Sequence, residues 1–396
     1  MKKILKIFVN FFYGFPISII LIIIRPLILI RFQQISSERI GFLAAATELY
    51  LCEKKFKINH PSYKNYIDIF CYQKIISNQY LAKIWKRKIL ILPYFLVTPI
   101  QNCLKLLDKN KIHQLGNNKS GDRDVFNLIE KTKPFLSLSD QDIKKGYALL
   151  SKFNVDKNSK IICVVIRDDN YLEKVFNKNF SRHDYRNFKI ESFYPTFKEC
   201  VKRGYFVFIM GKYVKQKLSI KNEMIIDYAN SDIRSDFLDI FIGSICKLSI
   251  RTSGYGAIPF IFRKPSIEIC PSLGEMYTFN KHDLLLIKDH YDLKAKKILS
   301  FHEIFSRNLA FNITQKKLLE ENVELRENEK DIKNALIEQL DRIENKTVNS
   351  SYKEVLQKQF WDAFNKKISF LEYRHLHGKK YSSRFSSDYL KKPNWF

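Results

Sequence analysis

The stretch 246–270, CKLSIRTSGYGAIPFIFRKPSIEIC, contains two short apolar runs separated by a polar, glycine-containing loop. The runs KLSI (247–250) and SIEI (266–269) have the length and β-branched content of buried strands. Between them, GAIPFIFR (256–263) predicts a short helix. A strand, a loop, a helix and a second strand in this order are typical of a parallel sheet covered by helices.

The same alternation extends toward the N-terminus. Three further strands are predicted at KIICVVI (160–166), YFVFIM (205–210) and EMIIDY (223–228). A helix is predicted at 191–204, between the first two of these strands, and is ended by Gly204. A second helix is predicted at 235–246, before the strand at 247–250, with Ser235 as its N-cap. We therefore predict one Rossmann-type α/β domain over residues 155–305.

The loop after the fourth predicted strand has the composition of a phosphate cradle. Two glycines let the backbone approach a ligand, two hydroxyls donate hydrogen bonds, and a helix N-terminus favours negative charge. The residues with this predicted role are Thr252, Ser253, Gly254, Tyr255 and Gly256. The alternative is a tight turn from strand to helix, which needs only one glycine.

Charged side chains also follow the other predicted strands. Arg167 directly follows the first of them, Gly211 and Lys212 follow the second, and Asp227 with Tyr228 ends the third. In an open α/β sheet ligands bind at the carboxyl ends of the strands. Arg167 and Lys212 are therefore suited to bind a diphosphate, and Asp227 with Tyr228 is suited to bind a ribose or a base.

A second cluster, SRHDYRN (181–187), follows the Arg167 loop and is expected to face the same site. His183 and Arg186 are candidates to stabilise a leaving phosphate, with Asp184 orienting either of them. Asp168 and Asp169 are adjacent and lack the D-x-D spacing, so we predict no metal site.

Composition limits the classes of partner. The chain has 396 residues and a net charge of +27, which favours a phosphate ligand, an anionic lipid surface or nucleic acid. The alternative explanation is solvated surface lysine enriched by a coding bias. The seven cysteines form no C-x-x-C pair and predict buried reduced thiols.

The N-terminal segment 7–24, IFVNFFYGFPISIILIII, has no charged residue and is flanked by basic residues on both sides. Pro16 interrupts it, and its length is marginal for a core of about 30 Å. We expect a peripheral or monotopic anchor on an anionic membrane, at the cytoplasmic face of the inner membrane. A single membrane span and a buried core helix are the alternatives.

The remaining regions give coarser predictions. Residues 39–55 predict strand, loop and helix, and 66–72 predict a strand. Beyond 310 the chain predicts charged helices that pack back on the sheet. The apolar face of this tail consists of Ile332, Leu336, Leu340 and Ile343. The predicted organisation is a hydrophobic segment (1–35), a first domain (36–150), a second domain (151–310) and a helical extension (311–396).

With these motifs the sequence resembles a family of bacterial glycosyltransferases associated with surface-polysaccharide synthesis. The resemblance rests on R-D-x-x-Y-L, here Arg167, Asp168, Tyr171 and Leu172, followed by H-D-Y-R-N at 183–187. It extends over nearly the whole chain, through segments 37–51, 210–212, 227–241, 252–259, 262–265, 323–340 and 356–361. The family often has R-I-G-H-L where this chain has Phe42 in place of the histidine.

The resemblance implies a GT-B-like architecture, in which two Rossmann-type domains face a cleft. The second domain would hold a nucleotide-diphosphate sugar as donor substrate, and the first a saccharide or lipid-linked acceptor, with no further cofactor. Arg167, Arg186 and Lys212 are then candidates for stabilising the diphosphate that leaves. Glu48 is a candidate base, although a glutamate early in a helix also compensates the helix dipole.

Two other classes of protein remain open from the sequence. A nucleotide-sugar epimerase uses a similar cradle but has no need of a membrane anchor or an acceptor domain. A basic, non-catalytic membrane-binding or nucleic-acid-binding protein accounts for the charge but not for the ordered polar residues at successive strand ends. We therefore expect no nucleic-acid partner.

Overall fold

The apolar runs of the sequence form parallel sheets in each of the two units into which the chain divides. The computed structural model describes residues 9–58, 60–115, 123–252, 254–276, 280–346, 351–368, 381–393 and 395. The N-terminal unit comprises the described residues up to 115 together with 134–136. The C-terminal unit comprises 123–133 and the described residues from 137 onward.

The C-terminal unit is built on a seven-stranded sheet in which every pairing is parallel. Its strands are β4 (Lys160–Val165), β5 (Tyr205–Met210), β6 (Ile225–Ile226), β7 (Leu248–Arg251), β8 (Ser266–Cys270), β9 (Leu284–Ile287) and β13 (Arg384–Phe385). A small antiparallel sheet adds β10 (Asp289–Asp292), β11 (Lys297–Ile298) and β12 (Val323–Arg326).

Helices connect these strands. They are α5 (Asp140–Leu150), α6 (Asn170–Phe176), α7 (Tyr194–Lys202), α8 (Asp236–Ile245), α9 (Ala257–Ile261), α10 (Phe301–Ser306), α11 (Gln315–Glu320), α12 (Glu329–Ile343), α13 (Ser351–Ile368) and α14 (Ser387–Leu390). Two helix ends agree with the sequence prediction. Ser235 caps the start of α8 by accepting a hydrogen bond from the Leu238 N–H, and Gly204 follows the end of α7 with φ of +76°.

The strand order of the large sheet reverses beside β4. The order is β13-β9-β8-β7-β4-β5-β6, so the chain runs outward from β4 through β5 and β6 and then returns to β7 on the other side of β4. Open α/β sheets bind ligands at such a switch point, outside the carboxyl ends of the strands. A ligand site is therefore expected at the residues after β4 and β7.

The C-terminal helices complete the core of this unit, as predicted. Ile332, Leu336 and Leu340 on α12 are buried in the same cluster as the strands, and Ile343 packs against it. Phe360 and Phe364 on α13 are also buried there. All seven cysteines are buried and none forms a disulfide, which agrees with the predicted reduced thiols.

The N-terminal unit contains a smaller parallel sheet with strand order β1-β2-β3. Its elements are β1 (Leu29–Ile35), α2 (Thr47–Lys55), β2 (Tyr66–Tyr72), α3 (Gln79–Trp85), β3 (Leu90–Ile91) and α4 (Tyr94–Leu107), preceded by α1 (Phe15–Ile24). The predicted strand at 66–72 is confirmed. The strand expected near residue 39 is wrong, because a π-helical turn at Phe42–Ala46 leads directly into α2.

The first strand of this unit lies inside the segment that the sequence grouped with the hydrophobic N-terminus. Residues 29–35 form β1 and pair along their whole length with β2. Pro26 lies between α1 and β1, where its ring disfavours continued helix. The polar residues Arg31, Gln33 and Gln34 within this strand concealed it from a hydropathy argument.

Helix α1 packs one of its faces against α4. Leu21 is buried in a cluster with Val97, Ile100 and Phe32. A Cβ on Gly14, in the turn before α1, would come within 2.6 Å of the Pro99 carbonyl oxygen, so close packing requires glycine there. Over the described part of the chain, no helix has both the length and the apolar character needed to cross a bilayer.

We expect the fully buried His290 on β10 to give the folded protein a specific pH dependence. Burial lowers the pKa of His290 to about 4, whereas an unfolded histidine titrates near about 6.5. As the pH falls through this window the unfolded chain binds a proton that the folded chain does not, which lowers the free energy of unfolding by about 1.4 kcal/mol per unit.

The comparison of wild type with His290→Asn isolates this contribution. Asp239 and Asp283, whose pKa values burial raises to about 6 and about 7, act in the opposite direction in both proteins. The unfolding free energy of wild type minus that of His290→Asn should therefore fall as the pH is lowered from about 6.5 to about 4. Parallel stability curves from denaturant titrations across this range would contradict the assignment.

Candidate functional site

Arg167 and Thr252 meet at the switch point between β4 and β7. The Arg167 N–H donates to Thr252 Oγ1 at 2.7 Å, and this hydroxyl lies 3.1 Å from the Val165 carbonyl oxygen. The Thr252 N–H also donates to the Val165 carbonyl at 3.0 Å. Thr252 therefore ties the two strand ends together and fixes where the Arg167 backbone lies.

The two aspartates after Arg167 hold the loop that follows β5. Asp168 Oδ2 accepts from the Lys215 N–H at 2.7 Å, and Asp169 Oδ1 lies 2.8 Å from Lys215 Nζ. Burial opposes ionisation of Asp169, but the Lys215 ammonium lowers its pKa overall. Asp169 and Glu173 raise the pKa of Lys215, so this lysine stays charged. These acids therefore hold Lys215 beside the residues that follow β4.

The 3₁₀ turn Ser181–Arg186 places its histidine among guanidinium groups. Burial and the positive charges of Arg186, Arg182 and Arg167 lower the pKa of His183, which is therefore neutral at pH 7. The Arg182 Nε–H donates to His183 Nε2 at 3.1 Å, and the buried Nδ1 has no hydrogen-bond partner among the described residues. The structure thus brings His183 and Arg167 into one positive cluster.

Two groups outside the cluster anchor this turn. Arg186 forms an ion pair with Glu275 at 2.9 Å, and the Tyr185 hydroxyl donates to the same carboxylate at 3.3 Å. On the other side, the buried Lys288 ammonium donates to the Asn187 carbonyl and lies 3.2 Å from Glu327. Sequence reasoning missed Glu275 and Lys288, because each acts from a distant strand or loop.

Lys212 and Tyr213 follow β5, and Tyr213 contacts Tyr171 on α6. Lys212 Nζ lies 3.4 Å from Asp236 Oδ1, in the first turn of α8. Tyr213 has φ of +61°, an uncommon conformation for an aromatic residue, and stacks on Tyr171 with ring centroids 6.3 Å apart. The exposed Tyr213 ring is an aromatic surface beside the cations that the sequence analysis did not single out.

We call these groups the strand-end site, defined by residues 167–171, 181–187, 211–215, Asp227 and Thr252. Asp227 accepts two contacts of 3.0 Å from Asn230 Nδ2, and its Oδ2 also accepts from the Leu218 N–H at 3.3 Å. It therefore also fixes the loop after β5. Contact of any of these residues with a ligand stays a prediction.

The loop after β7 differs from the predicted phosphate cradle. Helix α9 has only five residues and follows a 3₁₀ turn at Gly254–Gly256, so it offers little dipole to an anion. A Cβ on Gly256 would lie 2.2 Å from the Arg251 Cδ, so this glycine is required by packing. Ser253 lies outside the described residues. Gly254 is exposed and keeps its backbone accessible.

The two tyrosines predicted to contact a ligand are core residues. Tyr228 is fully buried, with its hydroxyl 3.0 Å from Asp239 Oδ1 and 3.1 Å from the Ser235 carbonyl oxygen. Tyr255 is also buried and donates to the Asp239 carbonyl. These contacts brace the start of α8 and leave no open ring face for a nucleotide. We therefore assign both residues a structural role.

Glu48 is enclosed within the N-terminal unit. Its side chain is fully buried, and its Oε1 accepts a hydrogen bond from the Phe135 N–H at 3.1 Å. The carboxylate therefore attaches segment 134–136 to α2. A general base needs contact with the substrate hydroxyl, and this burial does not support that role.

Acidic, histidine and cysteine side chains are the usual protein ligands of metal ions. Over the described residues, no group of three or more of them has an arrangement that could hold a metal ion.

Solved structures include a similar protein, whereas the sequence comparisons find none. No protein-family model matches the sequence, and no curated protein matches it. The crystal structure of the glycosyl transferase family 9 protein from Veillonella parvula DSM 2008 is similar, with a TM-score of 0.43 and 10% sequence identity. The match covers 78% of this chain and 97% of that one. Both values are too low for this similarity to assign a function to the chain.

Proposed function

We propose that this protein is a glycosyltransferase that moves a sugar from a nucleotide-diphosphate donor to a saccharide or lipid-linked acceptor. The donor binds at the strand-end site of the C-terminal unit, and the acceptor binds in the N-terminal unit. In this proposal the two units form a GT-B-like enzyme of surface-polysaccharide synthesis.

One observation carries the proposal: the switch point of a parallel seven-stranded sheet holds a cluster of cationic side chains. Arg167 lies at the switch point. Together with Arg182 and Arg186 it lowers the pKa of His183. Lys212 and Lys215 come from the neighbouring strand end. Guanidinium groups bind phosphate oxygens with paired N–H donors, so this cluster suits a diphosphate.

The proposed reaction needs the diphosphate leaving group stabilised. The bond from the anomeric carbon to the diphosphate oxygen breaks, and its electron pair leaves with the nucleotide diphosphate. The bond from the same carbon to the acceptor oxygen forms, and the acceptor hydroxyl gives its proton to a general base. Arg167, Arg186 and Lys212 would stabilise the charge that develops on the diphosphate, and the neutral His183 would donate a hydrogen bond to it.

The test is thermal stabilisation of the full-length protein by UDP-, GDP-, CMP- and dTDP-sugars beside the free nucleotides. A ligand that binds only the folded state raises the melting temperature, so one nucleotide-sugar should stabilise the protein selectively. No shift with any of them, in a sample shown to be folded, would contradict the donor site.

We also propose that this activity takes place at an anionic membrane surface, at the cytoplasmic face of the inner membrane. The outward side of α1 and its flanking turns carries apolar side chains that are 55–76% exposed, and we call it the exposed helix face. It consists of Phe11, Phe12, Ile20, Ile23 and Leu27. Arg25 directly follows α1, and such a combination of apolar and basic side chains is typical of monotopic anchors.

We expect the double substitution Ile20→Ser and Ile23→Ser to weaken binding to phosphatidylglycerol vesicles at least about tenfold, since burying one such side chain contributes about 1.5–3 kcal/mol. The matched control is Leu319→Ser with Val355→Ser, which removes two exposed apolar side chains from the C-terminal unit. Equal vesicle binding by both double variants in a flotation assay would contradict a role for the exposed helix face.

A further inference from the structure

A cavity of about 250 Å³ lies in the N-terminal unit, between α2 and one face of the β1–β2 sheet. We call it the α2 pocket. Its walls include Arg31, Gln33 and Asp68 from the strands, with Tyr50, Tyr66 and Phe70 as aromatic groups. None of these residues entered the sequence analysis as a candidate for binding.

The strand face beneath the pocket is unusually polar. Strands of parallel sheets covered by helices are normally apolar on both faces. Here Phe32 and Cys71 point into the core beside α1, whereas Arg31 and Asp68, on the other face, are buried charges. Burial of an ion pair rarely gains stability, because both charges lose their hydration. A ligand would account for this polar face better than stability does.

The lining of the pocket includes two cations, Arg31 and Lys54, and two anions, Glu53 and Asp68, so their formal charges balance. Arg31 contacts Asp68 through two nitrogens, at 2.7 and 2.9 Å, and the Tyr50 hydroxyl donates to Asp68 Oδ2 at 2.7 Å. Burial and the Asp68 carboxylate raise the pKa of Tyr50, so its hydroxyl stays protonated at neutral pH. Because the ion pair is complete, the pocket does not favour a strongly charged ligand.

Aromatic rings form another part of the wall. Tyr50 and Phe70 lie edge to face with ring centroids 4.8 Å apart, and His60 and Tyr66 have the same spacing. Thr47 also lines the pocket, and its hydroxyl is buried and has no hydrogen-bond partner among the described residues. An apolar ligand would leave this hydroxyl and the Gln33 amide without partners, which is costly.

We infer that the α2 pocket binds one neutral sugar ring of the acceptor, an inference that rests on the proposed function. A sugar ring has apolar C–H faces for the aromatic side chains and hydroxyls for the amide, hydroxyl and carboxylate groups. Sites for drug-sized ligands begin at about 300 Å³, so the smaller volume of this pocket suits a single ring.

The experiment is saturation-transfer NMR on the full-length protein without any donor. The probes are the methyl α-glycosides of glucose, galactose and mannose at about 20 mM, a concentration that populates a site of millimolar affinity. Cyclohexanol serves as a ring of similar size without the additional hydroxyls. We expect transfer from at least one glycoside and little from cyclohexanol.

The substitution Gln33→Leu removes a polar group from the pocket, and Gln101→Leu on α4 is the matched control outside it. We expect Gln33→Leu to reduce the glycoside signal at least about fivefold, the cost of one lost hydrogen bond, and Gln101→Leu to leave it unchanged. No transfer from any glycoside to the folded wild type overturns the inference. Equal signals for the two variants, or a stronger signal from cyclohexanol, also overturn it.

This test is independent of the donor site. If glycosides bind but no nucleotide-sugar stabilises the protein, the proposed function fails and the pocket remains. If a nucleotide-sugar stabilises the protein but no glycoside binds, the inference about the pocket fails and the donor site remains.

Discussion

Replacement of Arg167 by alanine should weaken binding of the nucleotide-sugar by about 1.5–3 kcal/mol, the scale of a hydrogen bond to a charged group. This corresponds to a loss of affinity of roughly 10- to 150-fold. The expected effect is large because Arg167 follows β4 at the switch point, where Thr252 fixes its backbone. Isothermal titration of the nucleotide-sugar that gives the largest thermal shift measures it directly.

The matched control for this substitution is Arg326→Ala. Arg326 lies on β12 in the same unit, is exposed and pairs with Glu324, so its removal lowers the net charge equally. We expect Arg326→Ala to leave donor affinity within about twofold of wild type, since surface charges act weakly at a distance. An unchanged affinity in folded Arg167→Ala would remove Arg167 from the donor site.

Replacement of Glu268 by alanine should lower the free energy of unfolding by about 3–5 kcal/mol, because it leaves a buried charge without its ion-pair partner. Glu268 on β8 lies 3.2 Å from Arg251 on β7, and both side chains are only 8% exposed. Arg251 directly follows the first apolar run of the stretch 246–270. Denaturant titration of purified wild type and variant measures the change.

Glu324→Ala is the control, since it breaks a surface ion pair of the same two residue types. Arg326 and Glu324 are 2.6 Å apart with side chains 43% and 53% exposed, so its loss should cost less than about 1 kcal/mol. The double substitution Arg251→Met and Glu268→Leu should recover most of the stability lost in Glu268→Ala. If Glu268→Ala costs no more than Glu324→Ala, the buried pair has no special role.

The strands of the large sheet were predictable because burial on both faces leaves a continuous apolar run. The run at 205–210 coincides with β5, and 160–166 differs from β4 by one residue. In the N-terminal unit β1 was missed, because Arg31, Gln33 and Gln34 interrupt its apolar pattern. The polar character that conceals this strand from hydropathy is the same feature that forms the α2 pocket.

The candidate site was predictable where chain order alone places residues together. Arg167, Lys212 and Asp227 each follow a strand, so a parallel sheet brings them to one edge. The role of Gly256 was not predictable, because its lack of a side chain accommodates Arg251 and not a ligand. Burial of Tyr228 and Tyr255, and the anchoring of the histidine turn by Lys288, depend on packing between distant segments.

The most direct test of the central claim follows a labelled sugar in the presence of full-length protein, the stabilising nucleotide-sugar and membrane extract as a source of acceptor. We predict that the label moves to a saccharide or lipid-linked product while an equal amount of nucleotide diphosphate is released, and that Arg167→Ala greatly slows both. Label that remains on the nucleotide, unchanged or as an epimer, would contradict a glycosyltransferase.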